Sequence, residues 1–320
     1  MKIIDLTPDY LEECVDLFLA GLQRQAAESP ALDTRRADAA VLTAMLEKAI
    51  ARHGGIAVTD NAKLIGYMAG IMMDDPPGSP KRVYCPEWAH AAQPDNAFDT
   101  YRTLYQAIGQ HWADAGCTVH TINLLHVDAA VRESMCWSGF GYLCIDAVRL
   151  VDLVGVVVPS GLHVIPVESS DVAEWLPMLQ GLSSHLAASP VFKPDTRAET
   201  AEGLAVWLAA PDNHAWMALM GTRPVGFMKC APREEGAAWL VDSDQSFAVN
   251  GAFVNPAERA GGVARALLST LMSWAQETGI PRCSVDFEAT NPEACRFWLR
   301  HFQPVCVSMV RRLDGRVIKA

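Results

Sequence analysis

The sequence resembles itself over a distance of about 160 residues. Three segments of the first half have a similar partner in the second: IAVTDNAKLIGYM (56–68) with WMALMGTRPVGFM (216–228), HWADAGC (111–117) with SWAQETG (273–279), and MCWSGFG (135–141) with RFWLRHF (296–302). The offset is 160 between Gly66 and Gly226 (226 minus 66), and it is 162 between Trp112 and Trp274 and between Phe140 and Phe302. A nearly constant spacing over several landmarks predicts a tandem duplication, because single matching letters arise easily by chance.

Each half begins with a short apolar strand and continues with alternating helical and strand patterns. The predicted helices cover residues 8–25, 39–52, 99–115 and 128–138 in the first half, and 171–187, 197–209, 261–278 and 292–300 in the second. This alternation predicts an α/β or α+β sandwich in each lobe. The predicted domains are residues 1–151 and 162–320, joined by an apolar crossover at 152–161 that we expect to pack against the sheet.

Composition and charge exclude several classes of protein. The chain has 320 residues and a net charge of −11, which makes nucleic acid a poor partner for the surface as a whole. Its nine cysteines show no C-x-x-C pair and no spacing of zinc ligands, which is typical of reduced, buried thiols and predicts no metal site. No signal peptide and no apolar run of membrane-spanning length are evident, so we expect a cytoplasmic protein without a membrane partner.

A glycine-containing turn precedes an apolar helix late in the chain. The segment NPAERAGGVARALLSTLMSWA (255–275) follows the predicted strand SFAVNGAFV. A helix start exposes unpaired N–H groups, and glycines there let an anion approach the backbone. The chain contains neither the G-x-x-x-x-G-K-[ST] loop nor the G-x-G-x-x-G fingerprint. It contains V-x-P-x-x-R-x-x-G-x-[GA] without a gap, as Val254, Pro256, Arg259, Gly262 and Ala264.

This motif resembles the core motif of the GNAT superfamily of N-acetyltransferases, and the resemblance covers residues 163–313. It implies two GNAT-like lobes, each with a mixed, mostly antiparallel sheet flanked by helices, and acetyl-CoA as the cosubstrate. By resemblance, the loop Arg259, Ala260, Gly261, Gly262, Val263 and Ala264 holds the pyrophosphate, while Phe253 and Val254 offer main-chain groups to the pantetheine arm. Asn291 matches the asparagine that opens the next helix, and Ala294 and Phe297 match its cofactor-facing side.

The first lobe resembles the same family more faintly. Subtracting 162 places PDNAFDTYR (94–102) at the position of the loop, with Thr100 under Gly262 and Arg102 under Ala264. The arginine and the glycine of the loop are missing there, and Asp95 and Asp99 would repel a pyrophosphate. The counterpart of Asn291 at this offset is Ala129. We therefore expect this lobe to bind no CoA and to serve structure, substrate shaping or both.

The catalytic groups are unknown from the sequence. The family usually takes the leaving-group proton from a tyrosine one residue after the position of Phe297, and here that residue is Trp298. All six tyrosines lie in the first lobe. Asp286 and Glu288 are weak candidates for a general base, Asp242 and Asp244 are weaker, and a water chain is equally compatible. His90 lies in an apolar stretch and is a candidate for substrate contact or for a structural histidine.

We expect an acetyl-CoA-dependent N-acetyltransferase that acts on the amine of a small molecule bound in the cleft between the lobes. The expected oligomeric state is a monomer or a homodimer. The alternative is a non-catalytic acyl-CoA-binding or regulatory module that has kept the loop and lost its acid and base. The missing tyrosine favours this alternative, whereas the loop together with Asn291 is compatible with both.

Overall fold

The computed structural model describes residues 1–155, 157–194, 199–232 and 237–317. The chain forms two compact units, unit 1 (Met1–Asp146, Ala238–Val241 and Gln303–Ala320) and unit 2 (Ala147–Ala237 and Asp242–Phe302). The helices of the described residues are α1 (Leu11–Glu28), α2 (Ala39–His53), α3 (Ala97–Asp114), α4 (Ala129–Trp137), α5 (Val172–Ala187), α6 (Ala201–Leu208), α7 (Val263–Glu277) and α8 (Pro292–His301).

The strands, within the same ranges, are β1 (Lys2–Asp5), β2 (Gly55–Asp60), β3 (Lys63–Ala69), β4 (Ile71–Met72), β5 (Arg82–Cys85), β6 (His90–Ala92), β7 (Val119–Leu125), β8 (Gly141–Leu150), β9 (Leu162–Pro166), β10 (His214–Met220), β11 (Arg223–Ala231), β12 (Ser246–Val254), β13 (Arg282–Glu288) and β14 (Gln303–Arg312). The predicted mixed α/β class is confirmed. Each helix overlaps its predicted range, although part of 197–209 lies outside the described residues. Helix α1 begins at Leu11 rather than residue 8 because Pro8–Tyr10 form a 3-10 turn.

Unit 1 contains an antiparallel sheet in the order β1-β2-β3-β6 and a second group of paired strands, β4, β5, β7 and β14. Strands β5 and β7 are parallel, and β7 and β14 are antiparallel. Helices α1 and α3 bury their apolar stripes, which include Phe18 on α1 and Leu104, Ile108 and Trp112 on α3.

Unit 2 orders its strands β9-β10-β11-β12-β13, and only the β12–β13 pair among these is parallel. Successive residues of β10 face opposite sides of this sheet. Met217 packs in a core with Trp175 of α5, whereas the Trp216 ring lies 5.3 Å from the Trp274 ring of α7. Helix α5 therefore covers one face, and α7 covers the other.

The two units share their order of elements and the register of one hairpin. Val58 pairs with Gly66 in unit 1, Ala218 pairs with Gly226 in unit 2, and the register shifts immediately after both pairs. The next strand pairs with Gly66 at Ala92 and with Gly226 at Val254. A side chain at Gly226 would lie 2.8 Å from the Phe253 carbonyl oxygen, so this close strand approach requires glycine. The offset of 160 residues is thus found in the backbone pairing as well as in the sequence.

The pairing of the last strand differs from the sequence expectation, and the crossover makes contacts that the sequence did not predict. Strand β14, predicted within the second domain, pairs along its length with β7 and belongs to unit 1. The crossover contacts α7, where the Ser269 hydroxyl donates to the Val154 carbonyl oxygen at 3.1 Å; its packing against the sheet remains a prediction. Pro159 of the crossover lies against Gly262, where an added Cβ would be 3.5 Å from its Cγ. The division of the chain at 151 and 162 remains a prediction. No helix in the described ranges is long and apolar enough to cross a membrane.

Candidate functional site

The predicted anion loop lies between β12 and α7 in unit 2. The chain leaves β12 at Val254, forms a 3-10 turn over Pro256–Glu258 and enters α7 at Val263. Two residues of the loop have left-handed backbones, Ala260 with φ of 63° and Gly262 with φ of 92°. Only glycine adopts such a conformation without steric cost, which explains the glycine at the N-cap. Ala260 pays that cost, so the surrounding chain must hold the loop in this shape.

The start of α7 presents main-chain donors without protein acceptors. Gly262, the N-cap residue, supplies no side-chain cap. In the described part of the chain, the backbone N–H groups of Gly262, Val263 and Ala264 also have no main-chain acceptor, and the first bond of the helix is Ala266 N–H to Gly262 O at 3.0 Å. Ala260 and Gly261 are exposed to solvent. Unpaired N–H groups at the positive end of a helix dipole favour an anion.

Beside the loop, strands β12 and β13 separate before they end. Their pairing covers Ser246–Val249 and Arg282–Val285. Strand β12 then continues to Val254, paired only with β11 on its other side. A register shift makes Asn250 the bulged residue at the point of separation. The main-chain groups of Phe253 and Val254 thus lie on a strand whose β13 side is unpaired, as a groove for an extended arm requires.

Asn250 carries a buried polar atom that the protein leaves unsatisfied. No described residue hydrogen-bonds its Oδ1. A buried acceptor without a partner costs free energy of about 1–3 kcal/mol. In the sequence, Asn250 is one polar residue of the strand SFAVNGAFV; its bulge depends on the β11–β12 register, which the sequence alone does not reveal.

Arg259 does not extend from the loop in this structure. Its Nε donates to the Val254 carbonyl oxygen at 3.1 Å, and its Nη1 donates to Glu293 Oε1 at 3.3 Å. The other oxygen of Glu293 lies 3.9 Å from His185 Nε2. Glu293 therefore partly neutralises the arginine and places negative charge near the loop. A direct contact of Arg259 with phosphate remains a prediction.

Asn291 has a local structural role at the start of α8. Its Oδ1 accepts from the Glu293 and Ala294 amides at 3.2 and 3.1 Å, so Asn291 is the N-cap of α8. Ala294 and Phe297 follow on α8 and are half-buried. Their predicted contacts with the coenzyme remain predictions.

The two carboxylates proposed as weak base candidates lie on β13. Glu288 pairs with Lys193, and its side chain is only 13% exposed. Asp286 is half-buried on the same strand. Lys193 therefore occupies one carboxylate oxygen of Glu288. Trp298, at the position of the family's tyrosine, is 6% exposed and packs edge-on against Phe302.

In unit 1, the region corresponding to the loop is closed. The 3-10 turn Pro94–Asn96 leads directly into α3, so helical residues 97–100 take the place of the loop at 259–262. The helix that corresponds to α8 has Asp128 at its N-cap, one residue before the predicted counterpart Ala129. Asp128 pairs with Arg24 of α1 at 2.9 Å. No glycine remains to provide open amides.

In unit 1, a 3-10 turn over Glu87–Ala89 separates β5 from β6. This turn corresponds to the bulge of β12 in unit 2. The fully buried Glu87 accepts from the Asn123 side chain at 3.2 Å and from the Leu240 amide at 2.9 Å, and burial raises its pKa. His90 Nε2 donates to the Asn123 carbonyl oxygen at 2.8 Å and His90 Nδ1 accepts from the Tyr101 hydroxyl at 2.6 Å. Burial lowers the pKa of His90 to about 4.

These contacts leave a cavity of only about 20 Å³ in unit 1, which is room for a single water molecule. His90 is therefore a satisfied structural histidine within unit 1. His90 is recognisable in the sequence as a polar residue in an apolar stretch, whereas Glu87 is not recognisable, because the sequence does not distinguish a buried glutamate from an exposed one. Among the described residues, no group of three or more His, Cys, Asp and Glu side chains forms a candidate metal site.

Part of the second half of the chain matches a known protein family. Residues 180–302 match the model of the acetyltransferase (GNAT) family. A search of curated proteins finds no match. A GCN5-related N-acetyltransferase from Sphaerobacter thermophilus is similar over 97% of this chain and 95% of its own, with 13% identity and a TM-score of 0.56.

Two further structures are more distant. A fungal GCN5-related glucosamine N-acetyltransferase region of a multi-domain GH3 beta-N-acetylglucosaminidase matches 97% of this chain and 38% of its own, with 12% identity and a TM-score of 0.49. A functionally unknown conserved protein from Staphylococcus epidermidis matches 81% and 95%, with 12% identity and a TM-score of 0.46. Residues 180–302 thus match the acetyltransferase (GNAT) family model, whose fold supports acyl transfer in general.

Proposed function

We propose that the protein transfers an acetyl group from acetyl-CoA to the amine of a small molecule, using unit 2. The observation that carries this proposal is the start of α7, where the N–H groups of Gly262, Val263 and Ala264 have no acceptor among the described residues and lie beside a groove between two strands. Such donors suit the negatively charged oxygens of a diphosphate. The first half of the chain carries no equivalent loop, and we propose that it arose by tandem duplication.

The residues present fit the coenzyme. The main-chain amides from Gly262 to Ala264 would hold the diphosphate, and the Val254 N–H would pair with the pantetheine arm, since the Val254 carbonyl oxygen already accepts from Arg259. Acetyl-CoA supplies an activated thioester, whose thiolate leaves readily because a free thiol has a pKa of about 8.5. The unpaired edge of β12 orients the arm, and its N–H groups can donate to the thioester carbonyl oxygen.

We further propose that Asn250 orients the acceptor amine. Its Oδ1 is buried, lacks a described partner and lies where β12 leaves β13. An amine N–H donating to this oxygen would satisfy it and direct the nitrogen lone pair away from Asn250. Glu288 is occupied by Lys193, so deprotonation of the amine falls to water or to Asp286.

The second candidate function is a non-catalytic acyl-CoA-binding module. It is favoured by Trp298, which is buried and has no acidic proton to give, and by the engaged tyrosines of unit 1. The hydroxyl of Tyr67 donates to the Trp88 carbonyl oxygen at 2.8 Å, and that of Tyr101 is bound to His90. Burial raises the pKa of both phenols. The two candidates share the loop and differ in turnover.

Binding and turnover should be measured separately on the full chain. Calorimetric titration with CoA and acetyl-CoA tests the loop. A panel of small amines with acetyl-CoA then tests transfer, with free CoA measured by chromatography. Thiol reagents are unsuitable because Cys136 is exposed and would react with them.

Acetyl-CoA binding together with release of CoA that depends on a particular amine, and acetylation of that amine, would support the enzyme. Binding without amine-dependent release across the panel would instead support the module. Absence of any binding would refute both, because both require the loop to hold the diphosphate. We retain the expectations of no metal, a cytoplasmic location and a monomer or homodimer as parts of the proposal.

A further inference from the structure

A second cavity opens in unit 2 at the end of α7 that is remote from Gly262. Its volume is about 710 Å³, within the range of cavities that bind small molecules. Helix α7 lines it with Ser273, Trp274 and Glu277. Fourteen residues separate Val263 from Glu277, and a rise of 1.5 Å per residue puts them roughly 20 Å apart along the helix. The cavity is therefore distinct from the anion loop.

Aromatic rings form one wall of this cavity. The ring of His214 lies 4.5 Å from that of Trp274, and Trp216 lies 5.3 Å from Trp274. The Phe247 ring packs edge-on against the Trp274 ring, with 5.4 Å between the ring centroids. The faces of such rings carry partial negative charge and attract cations, most strongly for tryptophan. Packing on several sides fixes Trp274, so little ordering is needed when a ligand stacks on it.

The charges around the cavity have one sign. Glu168 and Glu277 line it, and the described lining contains no lysine or arginine. The carbonyl end of α7 adds partial negative charge close to Glu277. Burial lowers the pKa of His214, although Asp212 opposes that shift, so the imidazole is neutral at pH 7.5 and does not repel a cation. Aromatic faces with two carboxylates are complementary to an organic cation.

We propose that this cavity binds a small organic cation with an aromatic body, which stacks on Trp274 and directs its positive charge toward Glu168 and Glu277. This site is additional to the proposed transfer site and does not depend on it. An anionic ligand meets two like charges there, and a neutral aromatic ligand gains the stacking without the ionic attraction.

The test uses 1-methylquinolinium as probe and quinoline, which is neutral at pH 7.5 and similar in shape, as its matched control. Binding to the full chain is measured by calorimetry with and without saturating CoA. The variants are Glu277→Gln and Glu168→Gln, both at exposed positions, together with Trp274→Leu; glutamine keeps the side-chain acceptor with which Glu168 caps the Asp171 amide. Glu174→Gln, an equally exposed change on α5 outside the cavity, is the control.

We expect 1-methylquinolinium to bind at least tenfold more tightly than quinoline, with the same affinity when CoA is present. Glu277→Gln and Glu168→Gln should each weaken binding about threefold or more, while Glu174→Gln should leave it unchanged. Trp274→Leu should weaken it about tenfold, with its fold checked by circular dichroism. The proposal is overturned by equal affinity for the two probes, by competition with CoA, by unaltered binding in both glutamine variants, or by no binding of the cation at millimolar concentration.

Discussion

At the residue scale, Gly262 combines a conformational and a binding requirement. Its backbone φ of 92° disfavours any side chain, and its position at the N-cap opens the first amides of α7. Gly279, just past the other end of the same helix, has a φ of 75° and no heavy atom within 4 Å of an added Cβ. Substitutions at the two glycines therefore distinguish the effect of backbone strain from the effect on ligand binding, because only Gly262 lies at the loop.

We predict that Gly262→Asp weakens CoA binding at least 100-fold, because a carboxylate at the helix start repels the diphosphate. Gly279→Asp should cost a similar amount of unfolding free energy, about 1 kcal/mol, without changing the affinity. Calorimetric titration and urea unfolding of both variants provide the measurement. Equal affinity of Gly262→Asp and the wild type would remove the basis of the loop assignment.

Asn250 yields a prediction in which stability and activity move apart. Asn250→Leu removes an unsatisfied buried acceptor, so it should leave the unfolding free energy unchanged or raised. The same change should lower kcat/KM for the amine about tenfold or more, while the Kd for CoA stays constant. Asn250→Asp keeps an acceptor oxygen and should retain more activity than the leucine variant. Full activity in Asn250→Leu would exclude the proposed contact with the amine.

His90 predicts a pH dependence of the stability of unit 1. Its pKa is about 4 in the folded protein against about 6.5 in an unfolded chain, so only the unfolded chain gains a proton between these values. Stability from this group should therefore fall as the pH drops below about 6.5, by about 2 kcal/mol at pH 5. The raised pKa of Glu87 acts in the opposite direction.

Urea unfolding at pH 7.5 and pH 5 should show this difference. His90→Gln, which has no titrating ring, should lose about 2 kcal/mol less than the wild type over that interval. His120, whose pKa is also lowered to about 4 by burial, is present in both proteins and cancels in the comparison. An identical pH dependence of the two proteins would contradict the assignment to His90.

At the scale of elements, one turn of helix distinguishes the two units. Residues 97–100 are helical in unit 1, whereas residues 259–262 form the loop in unit 2. A helix that begins directly after the 3-10 turn keeps its backbone paired beyond the first turn and leaves no glycine loop to surround a diphosphate. Asp99 adds a like charge in that first turn.

We therefore predict that Arg102→Ala leaves the affinity for CoA unchanged, whereas Arg259→Ala weakens it about three- to tenfold. The second effect follows because Arg259 pairs with Glu293 and offsets its charge near the loop. Calorimetry on both variants under identical salt provides the comparison. Weakened binding in Arg102→Ala would show that the coenzyme contacts unit 1.

The sequence predicted most elements because their patterns are local. The stripe of Val263, Leu267 and Leu271 identifies α7, and Pro256 with Gly262 identifies its start. The partners of Arg259 and Glu288 were not predictable, since Glu293 and Lys193 reach them only after the chain has folded. The contact of the crossover with α7 was not predictable either, because its apolar residues are compatible with a sheet face and with the side of a helix.

At the scale of the whole molecule, the two units differ in what they can bind. We predict that the chain binds one CoA, because the glycine loop before α7 lies beside a groove between two strands, whereas the cavity in unit 1 has a volume of only about 20 Å³. Calorimetry with active protein concentration determined independently gives the stoichiometry. Two molecules bound per chain would show that the interpretation of unit 1 is wrong.

The pairing of β14 with β7 also has a consequence for biosynthesis. Leu125 pairs with Cys306, so the ribosome must add 181 further residues (306 minus 125) before β14 can pair with β7. The other edge of β7 pairs with β5, which is made earlier. At roughly 5–20 residues per second, the nascent chain carries that bare edge for on the order of ten to forty seconds. An uncovered strand of composition VHTINLL invites wrong pairing, so newly made chains should depend on chaperones until translation has passed residue 312.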